Sequence, residues 1–137
     1  MIEIPADIRD QMVEHAVASL PSEACGLLAG RDGRVEHYFP IRNVHKNPET
    51  RYELESKEKL RALDEIEGSG RQLTATFHSH THSAPYPSRT DVEQSEGIQR
   101  FYPDARFVLV SLQDEKPELR AFTITGNLVN EEELRIG

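Results

Sequence analysis

The sequence predicts an α/β protein built on a mixed β-sheet lying between helices. Three observations carry this. The chain has 137 residues, a length that fits one domain, residues 1–137. Its apolar residues change period along the chain, giving the order α-β-β-β-α-β-α-β-β and a last extended segment. Short turns join the strands near both ends while helices separate them in the middle, so hairpins and crossovers share one sheet.

Residues 6–19, ADIRDQMVEHAVAS, place Ile8, Met12 and Ala16 at helical spacing, with Val13 beside them and Leu20 next in the series. Leu20-Pro21 stops that helix, because the residue before a proline disfavours the α region. ACGLLAG (24–30) is a short apolar run between turn residues and reads as a buried strand. Asp32-Gly33 marks a hairpin into RVEHYFPI (34–41). NVHKNPET (43–50) is a loop, rich in Asn and Pro, and RYELE (51–55) alternates like a strand.

Ser56 is placed to cap a helix over SKEKLRALDEIEG, with Leu60, Leu63 and Ile66 as its apolar positions and Gly68-Ser69-Gly70 at its end. QLTATFHSH (72–80) is β-branched and alternating, a strand. Pro85 and Pro87 break the chain after it, and SRTDVEQSEGIQR (88–100) reads as one helix weakened near its end by Gly97. ARFVLVSL (105–112) carries the strongest strand pattern, ELRAFTIT (118–125) is its neighbour, and residues 127–136 form a final strand or extended tail.

Composition narrows the function. Lys and Arg number 16 against 24 Asp and Glu, a net charge of −8, which opposes non-specific binding to nucleic acid. No apolar run approaches the roughly 18 residues of a membrane span. The start, MIEIPADIRDQ, has neither a basic nor an apolar leader region, so the expected location is the cytoplasm. Cys25 is the one cysteine; it cannot form an internal disulfide or a thiolate cage, so any metal site must use His, Asp, Glu and water.

Against that background HSHTHSAPYPSRTD (78–91) stands out. His78 and His80 sit two apart at the end of a strand and share a face. Two imidazoles a pleat apart can reach one metal, and Asp91, in the first turn of the next helix, offers a third ligand, leaving a fourth position for water. A His-x-His pair also occurs on strand ends without metal. Ser88-x-x-Asp91 reads equally as a helix capping box, and a capping serine can still present its hydroxyl. An amidohydrolase barrel needs about 250 residues. A metallo-β-lactamase run or a cupin glutamate is missing at the required spacing.

The full spacing, His78-x-His80, seven residues, Ser88, two residues, Asp91, with Glu23 upstream in PSEACGLLAG, resembles the JAMM (MPN+) metalloprotease motif. The YPSRTDV half is similar to bacterial members of that family, in particular the subgroup of peptidases that release cysteine from a sulfur carrier protein. The resemblance implies a cytidine deaminase-like fold and one zinc ion per chain. His78, His80 and Asp91 would bind the zinc, with water fourth. Glu23 would be the general base and Ser88 would donate to the oxyanion. It also implies a substrate that is a small ubiquitin-like or sulfur carrier protein, cut after a Gly-Gly-type tail. Two other functions stay open: a non-catalytic MPN scaffold, which would lack the metal residues, and a metal-dependent hydrolase of a small amide. His82 is read as solvated or behind the site, and Cys25 as a small buried side chain. His15, His37 and His45 have no motif support.

Overall fold

The computed structural model describes residues 1–137. In chain order its elements are β1 (Ile2–Ile4), α1 (Ala6–Ser19), β2 (Cys25–Arg31), β3 (Arg34–Ile41), α2 (Ser56–Gly68), β4 (Gln72–His80), α3 (Arg89–Gln94), α4 (Glu96–Phe101), β5 (Arg106–Ser111), β6 (Glu118–Thr125), β7 (Leu128–Glu132) and β8 (Leu134–Ile136). The eight strands form one sheet in the order β7-β6-β5-β4-β2-β3-β1-β8. Parallel and antiparallel pairs are mixed: β4 runs parallel to β5 across the α3–α4 crossover and antiparallel to β2. The expected mixed sheet between helices is therefore what the chain forms.

Helices cover both faces. Ile8, Met12 and Ala16 of α1 pack with Leu28, Phe77, Val108 and Val110 on one face. Ala62 and Ile66 of α2 pack with Leu27, Ile41 and Leu73 on the other, where Ile98 of α4 joins them. Leu20, one residue past α1, is 45% exposed, because the helix stops before its side chain can continue the stripe. Leu60 is likewise exposed, and Ala62 takes the inward position on α2.

Several local expectations are corrected. Glu55, not Ser56, caps α2: its carboxylate accepts from the Glu58 N–H at 2.7 Å and Ser56 becomes the first helical residue. Residues 51–55 are not a strand; one bridge between Asn43 and Leu54 is their whole pairing. The single helix expected over 88–100 is two, α3 and α4, meeting at Ser95, whose buried hydroxyl donates to the Val92 carbonyl at 2.6 Å. The strand β1 is short and gives no pattern of its own.

β7 and β8, separated by Glu133 alone, lie at the two ends of the strand order, β7 beside β6 and β8 parallel to β1. One extended run of chain thus joins both margins of the sheet. The N-terminal amine pairs with Glu132, and the Gly137 N–H donates to the Ile4 carbonyl at 3.1 Å, so both chain ends sit on this seam.

Backbones approach closely at the irregularity in the β2–β3 pairing between Ala29 and Gly30. A Cβ on Gly30 would lie 1.8 Å from the Arg34 carbonyl oxygen. Gly30→Ala is therefore expected to destabilise the fold by roughly 1–3 kcal/mol, since backbone must move to admit the methyl; urea unfolding at equilibrium measures it.

Candidate metal centre and the carboxylate beside it

β4 runs through the middle of the sheet and ends at His80. Alternation sends Phe77 toward α1 and His78 and His80 to the opposite face, both almost completely buried. After β4 the chain bends through Pro85 and Pro87. The Ser111 hydroxyl at the end of β5 fastens that turn by donating to the Ser83 carbonyl at 2.6 Å. The turn delivers Ser88 as the N-cap of α3 with a complete capping box. The Asp91 N–H donates to Ser88 Oγ at 3.1 Å and the Ser88 N–H donates to Asp91 Oδ2 at 2.9 Å. The cap reading of Ser88-x-x-Asp91 thus holds, and it sets the Asp91 carboxylate over the end of β4. Ser88 Oγ accepts in this bond, so its own proton stays free to donate.

The three side chains converge. His78 Nε2 lies 3.2 Å from His80 Nε2, and Asp91 Oδ2 lies 3.1 Å from the first and 2.9 Å from the second. A tetrahedral ion 2.0–2.1 Å from each donor would hold the donors about 3.3 Å apart, so this spacing fits one zinc-sized ion. Protonation points the same way. His80 Nδ1 lies 2.8 Å from the Ala84 carbonyl oxygen, which can only accept, so Nδ1 carries a proton. A neutral His80 then has a lone pair on Nε2, aimed at a carboxylate oxygen and a second imidazole. A shared cation satisfies all three atoms, and two imidazoles with one carboxylate are a donor set that suits zinc.

The electrostatics reflect this crowding. Burial lowers the pKa of His78. For His80 burial works against the charge, yet the bonds to Asp91 and the Ala84 carbonyl raise its pKa overall. Burial likewise works against an ionised Asp91, but the two imidazoles and the Ser88 N–H hold its carboxyl far below the usual carboxylate range.

Glu23 lies just before β2, where the Ala24 N–H donates to the buried Ser79 Oγ at 2.8 Å and the Ser79 N–H to the Ala24 carbonyl at 3.0 Å. This clasp joins the residue after Glu23 to the residue between the two histidines. Glu23 is 5% exposed and its Oε1 is buried with no hydrogen-bond partner. Burial pushes its carboxyl up to about 7, with His80 pulling it down and Asp91 pushing it further up. A buried carboxylate oxygen left unpaired calls for an explanation in function.

The remaining candidates fall away. His82 lies beyond the end of β4 and is exposed, so the face shared by His78 and His80 does not extend to it. Cys25 is buried, donates weakly to the Ile41 carbonyl at 3.4 Å, and burial pushes its thiol up to about 12, so it is an inert core side chain. His15 is bonded to Tyr38 and packs near Phe77, and His37 packs on Phe39. Tyr52 went unread in the sequence. Its ring stacks on His78 with centroids 4.4 Å apart and planes 20° apart, and it is buried. The one clue was an aromatic residue beside a polar, proline-containing loop.

A His-x-His strand end, a helix-borne aspartate and a buried glutamate on a mixed sheet between helices define the JAB/MPN class of domain. The chain belongs to the prokaryotic homologs of the JAB domain, whose family model matches residues 5–125. It is 39% identical to the CysO-cysteine peptidase of Mycobacterium tuberculosis (strain ATCC 25618 / H37Rv), over 99% of this chain and 91% of that protein. It is 38% identical to the desampylase of Haloferax volcanii, over 77% of this chain and 83% of that protein. A solution structure of a Desulfitobacterium hafniense protein superposes with a TM-score of 0.80 at 32% identity, covering 100% of this chain and 93% of that one. No helix is long and apolar enough to cross a membrane.

Proposed function

We propose that residues 1–137 act as one zinc-dependent peptidase domain of the JAMM type. It hydrolyses the amide or isopeptide bond after the Gly-Gly-type tail of a small ubiquitin-like or sulfur carrier protein, for example releasing cysteine from the carrier. The observation that carries this reading is the convergence of His78, His80 and Asp91 on one point, with the buried, unpartnered Glu23 near enough for the charges of His80 and Asp91 to act on it. The names of the relatives, a peptidase of a cysteine adduct and a desampylase, support the substrate class.

His78, His80 and Asp91 would hold the zinc, which when bound polarises a carbonyl and lowers the pKa of water to about 7. Glu23 takes a proton from the attacking water and passes it to the leaving nitrogen, a role suited to a carboxyl whose pKa lies near 7. The Ser88 hydroxyl donates to the carbonyl oxygen as negative charge develops there. Water adds to the carbonyl carbon, the C–N bond breaks, and the products are a carboxylate on the carrier tail and a free amine. A non-catalytic scaffold has no use for a buried, unpaired Glu23 next to three converged donors.

The test is elemental analysis followed by an assay on Gly-Gly-tailed carriers bearing an amino acid or a lysine adduct. One zinc per chain and release of the adduct are expected. Chelation should abolish release and lower the unfolding temperature, and zinc should restore both. At free zinc 1,000 times the dissociation constant, the stabilisation is about 4 kcal/mol. A folded wild type that takes up no zinc from buffered solution sinks the reading, and cleavage of small amides alone would transfer it to a small-molecule hydrolase.

A further inference from the structure

The segment between β3 and α2 holds Glu23 by its backbone. The Glu23 N–H donates to the Pro48 carbonyl at 2.7 Å, and the Glu23 carbonyl accepts from Asn43 Nδ2 at 3.0 Å. Both polar backbone groups of that residue are thus bound by a loop remote from it in sequence.

The same Asn43 carboxamide grips the loop on either side of Tyr52. Its Nδ2 also donates to the Arg51 carbonyl at 3.0 Å, and its Oδ1 accepts from the Glu53 N–H at 3.0 Å and the His45 N–H at 3.0 Å. Two donor hydrogens and two acceptor lone pairs are all used, the full capacity of a carboxamide. Its orientation is unambiguous: reversed, the side-chain oxygen would face two carbonyl oxygens. Gln94 of α3 donates to the Tyr52 carbonyl at 2.7 Å, so the peptide groups around that residue are fixed on three sides. Tyr52 so held lays its ring flat on His78.

We infer that Asn43 is a positioning residue, which through one side chain sets Glu23 and, by way of the Tyr52 ring, His78 in fixed relation to each other. It touches neither substrate nor metal. Its work is to make a single rigid frame of the proton-transferring carboxylate and one metal-binding imidazole, which come from different parts of the chain. This rests on the peptidase reading for Glu23, and on the metal site alone for His78.

The experiment compares wild type and Asn43→Ala for zinc affinity by chelator competition and for kcat and KM on a carrier adduct, below the unfolding transition of each. Loss of a group that orients a metal ligand directly costs about 10–100-fold in metal affinity or activity, and Asn43, one contact further out, is expected at the low end, about tenfold. The expected result is a fall of that size in both zinc affinity and kcat, with KM within about threefold of wild type. A residue that merely stabilised the loop would lower the unfolding temperature and leave zinc affinity and kcat of the folded protein unchanged; that result overturns the inference. A wild type that binds zinc and cleaves no adduct overturns the peptidase reading, and zinc affinity then decides the inference alone. Where Asn43→Ala does not fold, Tyr52→Leu and Tyr52→Phe are measured in its place. Weakened zinc binding in the first, rescued in the second, upholds the frame, and unchanged affinity in Tyr52→Leu overturns it.

Discussion

Glu23→Gln should bind one zinc per chain and turn over about 10²–10⁴-fold more slowly, the range spanned by the loss of a general acid–base group. The amide keeps the size and the buried position of the carboxyl but cannot take the proton. The same substitution should make the metal-free fold more stable at neutral pH and above. Glu23 has its pKa raised from 4.5 to about 7 by burial. The folded state therefore binds the proton more tightly than the unfolded state. The contribution is intact below about pH 4.5 and is lost as pH rises through about 7. At about 1.4 kcal/mol per pKa unit, the rise from 4.5 to about 7 makes the loss roughly 3–4 kcal/mol, and Gln removes it. Chemical unfolding of the chelated proteins across that range measures the stability, and metal analysis with an adduct assay measures the rest. Loss of zinc in a folded Glu23→Gln would mean that Glu23 is a ligand.

Asp91→Ala should abolish stoichiometric zinc binding while the chain stays folded. The substitution removes one of three donors and ends the capping box, at a cost of about 1 kcal/mol for the cap. Asp91→Asn separates the two effects, because its carboxamide oxygen can still accept from the Ser88 N–H while the charge is gone. Both variants should lack zinc, and the Asn variant should unfold at the higher temperature. In the metal-free wild type the Asp91 carboxyl, with its pKa depressed, stabilises the fold above the ordinary carboxylate pKa, and this is lost as pH falls. His80, with its pKa raised, stabilises below 6.5, and this is lost as pH rises through its folded value. Their mutual contribution therefore peaks in mildly acid solution. A folded Asp91→Ala that retains one zinc per chain would remove Asp91 from the site.

Much of this was legible in the chain because it is local. His78 and His80 share a face by strand alternation alone, and Ser88 with Asp91 is a spacing that helix starts enforce. Glu23 needed more than its own surroundings, since a glutamate near a helix end is ordinary until the downstream motif gives it a partner. What escaped reading depends on distant chain. Tyr52 alternates with its neighbours as a strand residue would, and only the stack on His78 shows that loop contacts have overridden the pattern. The β1 residues have too few positions for any period. The helix over 88–100 divides at Ser95, whose buried hydroxyl donates to the Val92 carbonyl, and no break in the apolar spacing announces it. Glu55 displaced Ser56 as a cap because a carboxylate one residue earlier reaches the same N–H.

The seam at which β7 and β8 bridge both margins of the sheet has a consequence for biosynthesis. Residues 2–4 pair with residues 134–136, so this ladder cannot form until translation has passed the last strand. Throughout elongation β1 lacks this neighbour and β6 waits for β7, leaving bare strand edges of the kind that invite pairing with other chains. Both margins of the sheet therefore stay open to such pairing until residues 128–136 are free to fold, and the same short run closes both.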